Sequence, residues 1–544
     1  MKESEIFINQ IGYNPLDRKN VVVSASDKGD AKEFSVCRKI DGADNDKVVF
    51  SGALTAAPED EQSGPGYFTG DFSAVKEDGE YYICIDSGAG KKRSFDFKIS
   101  EDIYAGVALS TLKYFTDSRC GQGICHTGIA EVYGTGEKKN VQGGWHDAGD
   151  YGRYIVAGTK TVMDLLLAYK KCPEKFAGFD LLAEVRFELE WMLQMQRDDG
   201  AVYHKISCYH FCAFIMPQEE KEQLVLAPVS TAATADFAGC LAYAVGFYKA
   251  EGPAQDKAFS EKLLAAALKA QNYLFSHDDE LYINPPEITT GGYGDRDVRD
   301  ERYFALCALF AATGEVNYLN HAIKLRDDKK QDKPDPKHPW NNGWQEGFGW
   351  PFVSGYGTEI LLEVSAGNYS ANGAGPSELP AELLTEIKSG IISQAEKYLA
   401  IANASAFHYC SYFVFWGSNG AICDLAHIML MAYDLTGRKE FREAAKAQID
   451  YILGCNPVNY CYVTGEGSKS PVHPHHRPSG ASGHVYPGML SGGPCAGLMD
   501  AYAKEHLAGR SPLKCYADAE PSYSTNEVAI YWNSAFVYVL ARVR

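Results

Sequence analysis

The chain has 544 residues, 45% of them hydrophobic and 23% charged, enough for two or three domains and a large core without staples. Its formal net charge of -19 argues against nucleic-acid and anionic-membrane partners, which need clustered Lys and Arg. Fifteen cysteines, an odd and scattered set, fit buried thiols in a reducing compartment better than a disulfide framework.

The N-terminal "MKESEIFINQIGYN" has no apolar signal-peptide core and reads straight into a strand. The expectation is a cytoplasmic protein, or a secreted one from which a leader has been removed. No apolar run reaches the length of a membrane span. Residues 1–100 hold seven short β runs separated by Gly, Asp, Asn and Pro turns, and Phe95, Phe97 and Ile99 alternate with polar residues. This predicts an immunoglobulin-like β-sandwich over 1–100. From residue 101 the period becomes helical through to 544, with about a dozen segments. They include those near 154–171, 231–250, 256–275, 300–313, 381–403, 419–436, 438–453 and 527–542, and strand signals between them are sparse. Such an all-α domain with long Gly- and aromatic-rich loops favours a helical toroid, an α/α barrel with a cleft built from loops.

Those loops carry the chemistry. "GGWHDAGDYGRY" places Asp147 and Asp150 three apart among glycines and aromatics. "YSTNEVAIYW" places Glu527 at the start of an apolar helix, where Ser524 and Glu527 also read as a capping box. A glycosidase needs two carboxyl groups, one protonated and one ionised. In "SPVHPHHRPSG", the histidine cluster before Arg477 is open to a metal site or to polar contacts with a sugar. In "SRCGQGICHTG", Cys120, Cys125 and His126, with His146 downstream, are open to a structural zinc or to buried thiols beside a hydrogen-bonded histidine. In "YGDRDVRDERY", Asp295, Asp297, Asp300 and Glu301 are open to a hard cation or to a solvated acidic helix start.

Taken together, "GGWHDAGDYGRY", "PVSTAATADFAG", "YGDRDVRDE", "FWGSN", "GCNPVNYCYVTGEG", "PHHR" and "CYADAEPSYSTNEVAIYWNSAF" resemble glycoside hydrolase family nine. The resemblance is to the cellulase family with an (α/α)6 barrel, in the subgroup with an N-terminal immunoglobulin-like domain, and covers nearly the whole chain. One departure is Cys461, where Ser, Thr or Val is usual. The resemblance implies an inverting β-1,4-glucan hydrolase acting on cellulose or soluble cello-oligosaccharides, with no organic cofactor. Asp150 would be the general base, Asp147 would help hold the water, and Glu527 would be the general acid, the carboxyls standing about 6.5–9.5 Å apart. His475, Arg477 and Tyr523 would bind sugar, Asp518 would support them, and Trp145, Trp350 and Trp416 are candidates for stacking on it. It further implies a structural zinc on Cys120, Cys125, His126 and His146, and a structural calcium at Asp295, Asp297, Asp300 and Glu301. Three alternatives stay open: an exo-acting relative (cellodextrinase, cellobiosidase or exo-β-glucosaminidase), a silent carbohydrate-binding protein, and a zinc hydrolase built on "HPHH".

Overall fold

The computed structural model describes residues 5–40, 47–88, 90–121, 128–333, 344–369 and 375–544. They form two compact units, Met1–Tyr114 with Ala395–Arg544, and Phe115–Gln394.

In the first unit, the N-terminal segment folds into two sheets. One runs Ile6–Phe7, Asn20–Ser24, Tyr67–Asp71, Thr55–Ala56, with every pair antiparallel. The other runs Gly12–Tyr13, Phe97–Ile99, Gly79–Ser87, Glu33–Arg38, Lys47–Ala53, and Gly90–Arg93 folds back on Gly79–Ser87. Phe97 and Ile99 point inward while Lys98 is exposed, as the alternation requires. The core includes Val21, Val23, Phe34, Ile83 and Phe97, and the Tyr13 ring meets Phe72 and Phe97 edge-on at 5.4 and 5.6 Å.

The same unit holds helices Ser418–Thr436, Lys439–Ile452 and Ile530–Val543, which pack on one another. Gly437 ends the first in the left-handed conformation (φ 70), allowing the sharp turn into the second. A buried polar seam ties the sheets to Lys439–Ile452. Asn9 Nδ2 donates to Asp450 Oδ1 at 2.7 Å, and Lys446 Nζ lies 2.7 Å from Asp450 and 3.4 Å from Asp17.

The second unit is built around helix Thr231–Tyr248, which is buried on nearly every side. Its composition explains this. A helix apolar all round has no solvent face, and Gly239 lets the Phe304 ring approach so closely that a Cβ would lie 2.6 Å from it. Helices Ile155–Lys171, Lys257–Ser276 and Arg299–Thr313 pack against it. The helices expected near 154–171, 256–275 and 300–313 thus appear within a residue or so.

One expectation fails here. The helical region contains a five-stranded sheet, in the order Lys138–Asn140, Ile129–Val132, Leu224–Leu226, Lys205–Cys208, Arg153–Tyr154. Its strands are two to four residues long, too short to show a period. This sheet anchors the loop bearing the two aspartates. Among the described residues, no helix is long and apolar enough to cross a membrane.

Candidate active site

The stretch from Gly143 to Tyr154 is held at several points within the second unit. Gly143 and Gly144 turn the chain at φ 82 and 78, and a Cβ on Gly144 would sit 2.6 Å from the Trp191 indole. Beyond the turn, Arg119 and Trp145 pair as an antiparallel bridge. The Trp145 N–H donates to Glu188 Oε2 at 2.6 Å and its indole Nε1 to Glu184 Oε1 at 2.9 Å. Glu184 also accepts from Arg119 Nε and Nη2 and from Thr116 Oγ1. Arg153 Nη1 reaches back to the Gly143 carbonyl, joining the two ends of the loop. Trp145 is only 1% exposed and packs on Phe115 at 5.4 Å. It is a core anchor, which corrects the expectation that it stacks on sugar.

Within this frame Asp147 and Asp150 are both buried. The Asp147 N–H donates to the Gly152 carbonyl at 2.9 Å, and Asp147 Oδ2 accepts from the Tyr293 hydroxyl at 2.5 Å. Burial pushes the Asp147 carboxyl well above the usual range. The Tyr293 hydrogen bond opposes this, and the charge of Asp150 adds to it. Asp150 Oδ2 accepts from the Gly152 N–H at 3.1 Å and from the Tyr154 hydroxyl at 3.5 Å. The two carboxyls therefore have different hydrogen-bond partners.

Tyr293 adopts φ 48, left-handed backbone that a bulky side chain rarely takes. It is held there by its neighbours. His204 bonds Ser230 Oγ through Nδ1 at 2.8 Å and the Gly292 carbonyl through Nε2 at 2.9 Å, while stacking on Tyr282. Burial lowers the His204 imidazole to about 3, so it is neutral. Lys205 donates to the neighbouring Thr290 and Gly291. Trp350 is half-buried and meets Tyr293 edge-on at 4.9 Å. Tyr293, His204 and Lys205 escaped the sequence reading. Tyr293 opens the stretch "YGDRDVRDERY", which is conspicuous for its acids, but its pairing with Asp147 spans 146 residues of sequence.

The first unit carries the remaining candidates. Glu527 is half-buried and extended (ψ 160), directly after the short helix Tyr523–Asn526. The N-cap of that helix is Ser522, so the Ser524–Glu527 capping box does not form, and the apolar helix begins later, at Ile530. Glu527 pairs with His475 as a parallel bridge, and the Gly492 N–H donates to its carbonyl at 2.7 Å. Asn526 clamps this junction. Its Nδ2 donates to the His473 carbonyl and to Asp518 Oδ1, while its Oδ1 accepts from Ser491 Oγ and Tyr516 OH. Asp518 also accepts the N–H groups of Val472 and His473. Asp500 accepts from the N–H and hydroxyl of Ser524. His475 bonds the Glu520 carbonyl through Nδ1 at 2.6 Å and lies edge-on to Tyr523 at 5.8 Å, and Tyr523 meets Trp416 at 5.2 Å. Arg477 is buried at the start of the helix Arg477–Ser482. Glu527, His475, Tyr523 and Trp416 thus share one neighbourhood, braced by Asp518 and Asn526.

The expected metal ligands fare differently. Cys120 and His146 flank the Arg119–Trp145 bridge, with the Cys120 N–H on the Gly144 carbonyl and the His146 N–H on the Ser118 carbonyl, both at 2.8 Å. Both side chains are buried, as a structural zinc would require. Cys125 and His126 lie outside the described residues. The expected calcium ligands do not converge. Asp297 is ion-paired with Arg299 and Lys329, and Asp300 accepts the Val353 N–H at 3.0 Å. Burial pushes the carboxyls of Asp295, Asp300 and Glu301 up, Asp300 to about 6. Buried Asp236, absent from the sequence-derived set, behaves likewise. Asp236, Asp300 and Glu301 are buried, which departs from a solvated acidic helix start. Burial and mutual repulsion favour their protonated forms. Among the described residues, the one group with three donor atoms within 4.8 Å is Cys208, Glu220 and Glu222. Its members are already engaged, Cys208 Sγ with the Glu222 carbonyl and the Glu222 carboxylate with His210.

The second unit thus holds a buried aspartate pair on a braced loop, and the first unit holds a half-buried glutamate at a braced junction; carboxyl groups are what glycosidases use. The family model for glycosyl hydrolase family 9 matches residues 104–540, and that for the cellulase N-terminal ig-like domain matches residues 1–89. The chain belongs to glycosyl hydrolase family 9 and is a glycoside hydrolase. The expected fold class, an immunoglobulin-like β domain followed by a largely helical catalytic domain, is borne out. The chain is 33% identical to a cellodextrinase of Butyrivibrio fibrisolvens, over 99% of both. A single mutant of a thermostable endoglucanase from Alicyclobacillus acidocaldarius superposes with a TM-score of 0.87, at 32% identity over 99% of each chain. A zinc-binding triple mutant of the family 9 endoglucanase J30 superposes with a TM-score of 0.84, at 27% identity over 97% of this chain and 99% of that one.

Proposed function

We propose that the protein is an inverting hydrolase of β-1,4-glucosidic bonds that acts on soluble cello-oligosaccharides. The observation that carries this reading is the end-to-end likeness to a cellodextrinase, with no large segment unmatched in either chain. In this reading Asp150 takes a proton from the attacking water, Asp147 holds that water, and Glu527 protonates the leaving oxygen. The bracing of the Asp147–Asp150 loop by Glu184, Glu188 and Arg153 supports it, because a general base must be fixed to a fraction of an ångström. His475, Arg477 and Tyr523 bind the sugar, with Trp416 and Trp350 as aromatic walls and Asp518 as a support. Cys120, Cys125, His126 and His146 hold a structural zinc that braces the same loop. Endo action on longer glucans is the second reading, favoured by the full-length likeness to an endoglucanase.

The test is NMR of the products of cellohexaose at early times. Initial α-anomer from the β-linked substrate is the expected result, with release in short units from one chain end. A β-anomer would overturn the roles of Asp150 and Glu527, and a spread of internal cuts would favour the endo reading.

A further inference from the structure

Lys205 is fully buried, and among the described residues its ammonium has only neutral oxygens as hydrogen-bond partners. Nζ donates to the Thr290 carbonyl at 3.2 Å, to Thr290 Oγ1 at 2.9 Å and to the Gly291 carbonyl at 2.5 Å. An ammonium buried among uncharged acceptors is costly unless an anion shares the site. The carboxyl group within electrostatic reach is that of Asp150. Tyr154 links the two. It is paired in register with Lys205, its ring centre lies 5.4 Å from Nζ, and its hydroxyl is 3.5 Å from Asp150 Oδ2. The segment that Lys205 grips continues two residues on into Tyr293, which holds Asp147. The groups facing Lys205 are therefore Asp150 from the catalytic loop, Tyr154 from the adjoining strand, neutral His204 just before its own strand, and the Thr290 hydroxyl with the Thr290 and Gly291 carbonyls.

We propose that Lys205 is a positioning residue for hydrolysis: its ammonium fixes the 290–293 segment and supplies the positive charge that keeps Asp150 an anion, ready to accept a proton from water. This rests on the reading of Asp150 as the base. Burial pushes the Lys205 ammonium down to about 7, against the pull of Asp150, so the charge it lends fades above neutrality.

The pH profile of kcat/KM on cellohexaose tests this in Lys205→Gln and Lys205→Arg. Glutamine keeps N–H donors for the 290–291 oxygens without the charge, and arginine keeps the charge. The acidic limb should move up by about one pH unit or more in Lys205→Gln and stay in place in Lys205→Arg. A uniformly lowered Lys205→Gln profile with an unmoved limb would reduce Lys205 to a tether and overturn the proposal. Should the glutamine variant not fold, the arginine variant decides. Its acidic limb must stay where the wild-type limb lies, because guanidinium keeps the charge, and a limb moved up there refutes the proposal. Asp150→Asn separates the two levels. Wild-type rates there would remove the base assignment itself, whereas an inactive Asp150→Asn beside an unmoved Lys205→Gln limb would remove only the role of Lys205.

Discussion

Replacing Glu188 by glutamine should make the protein less sensitive to alkali. Glu188 lies beneath the catalytic loop at 1% exposure and accepts the Trp145 N–H. Burial raises its carboxyl from an ordinary 4.5 to about 8. The Trp145 hydrogen bond and the charge of Arg153 oppose the rise, while Asp147 and Glu184 add to it. Below pH 4.5 the group is protonated in both folded and unfolded chains and adds no pH dependence. Between 4.5 and 8 the unfolded chain releases this proton while the folded one keeps it, so stability falls as pH rises through the window. Above 8 the loss is complete. At about 1.4 kcal/mol per pH unit, the window is worth about 5 kcal/mol. Glutamine retains an oxygen for the Trp145 N–H and has no proton to exchange. Relative to wild type, Glu188→Gln should therefore gain several kcal/mol between pH 5 and pH 8. Urea unfolding at a series of pH values measures this, with tryptophan fluorescence as reporter because Trp145 sits on the group concerned. Parallel stability–pH curves for the two proteins would refute the reasoning.

Tyr293→Phe removes the hydrogen bond that opposes the rise of the Asp147 carboxyl, so that carboxyl should climb further and kcat should fall at least tenfold with KM little changed; steady-state kinetics on cellohexaose will show it. Gly144→Ala combines a left-handed backbone with a collision against Trp191, and should cost about 1–3 kcal/mol by urea unfolding. Lys446→Ala strands Asp450 and Asp17 without their cation and should cost about 3–5 kcal/mol, read from urea unfolding. Glu527→Gln should abolish hydrolysis while leaving oligosaccharide binding nearly intact, measured by calorimetry beside product release.

Much of the molecule was legible in the sequence because the signals are local. The alternation at Phe97 and Ile99 marks a strand, and the 3.6-residue period located helices such as Lys257–Ser276 and Lys439–Ile452. The glycine-rich acidic loop stood out by composition, and the joint motifs pointed to the family. Tertiary structure decided the rest, since those features depend on residues far apart in the chain. Trp145 reads equally as a sugar platform or a core residue until Glu184 and Glu188, about forty positions on, are seen to bind its two N–H groups. Strands of two to four residues acquire meaning only through partners, so the sheet carrying Lys205 left no periodic trace. The acids of "YGDRDVRDE" look solvated or cation-binding in one dimension, yet folding buries Asp300 and Glu301 beside Asp236 and hands Asp297 to Arg299 and Lys329. Sequence sets which side chains are available and how each segment coils. Burial and long-range pairing, which decide charge state and role, exist only once the chain has closed on itself.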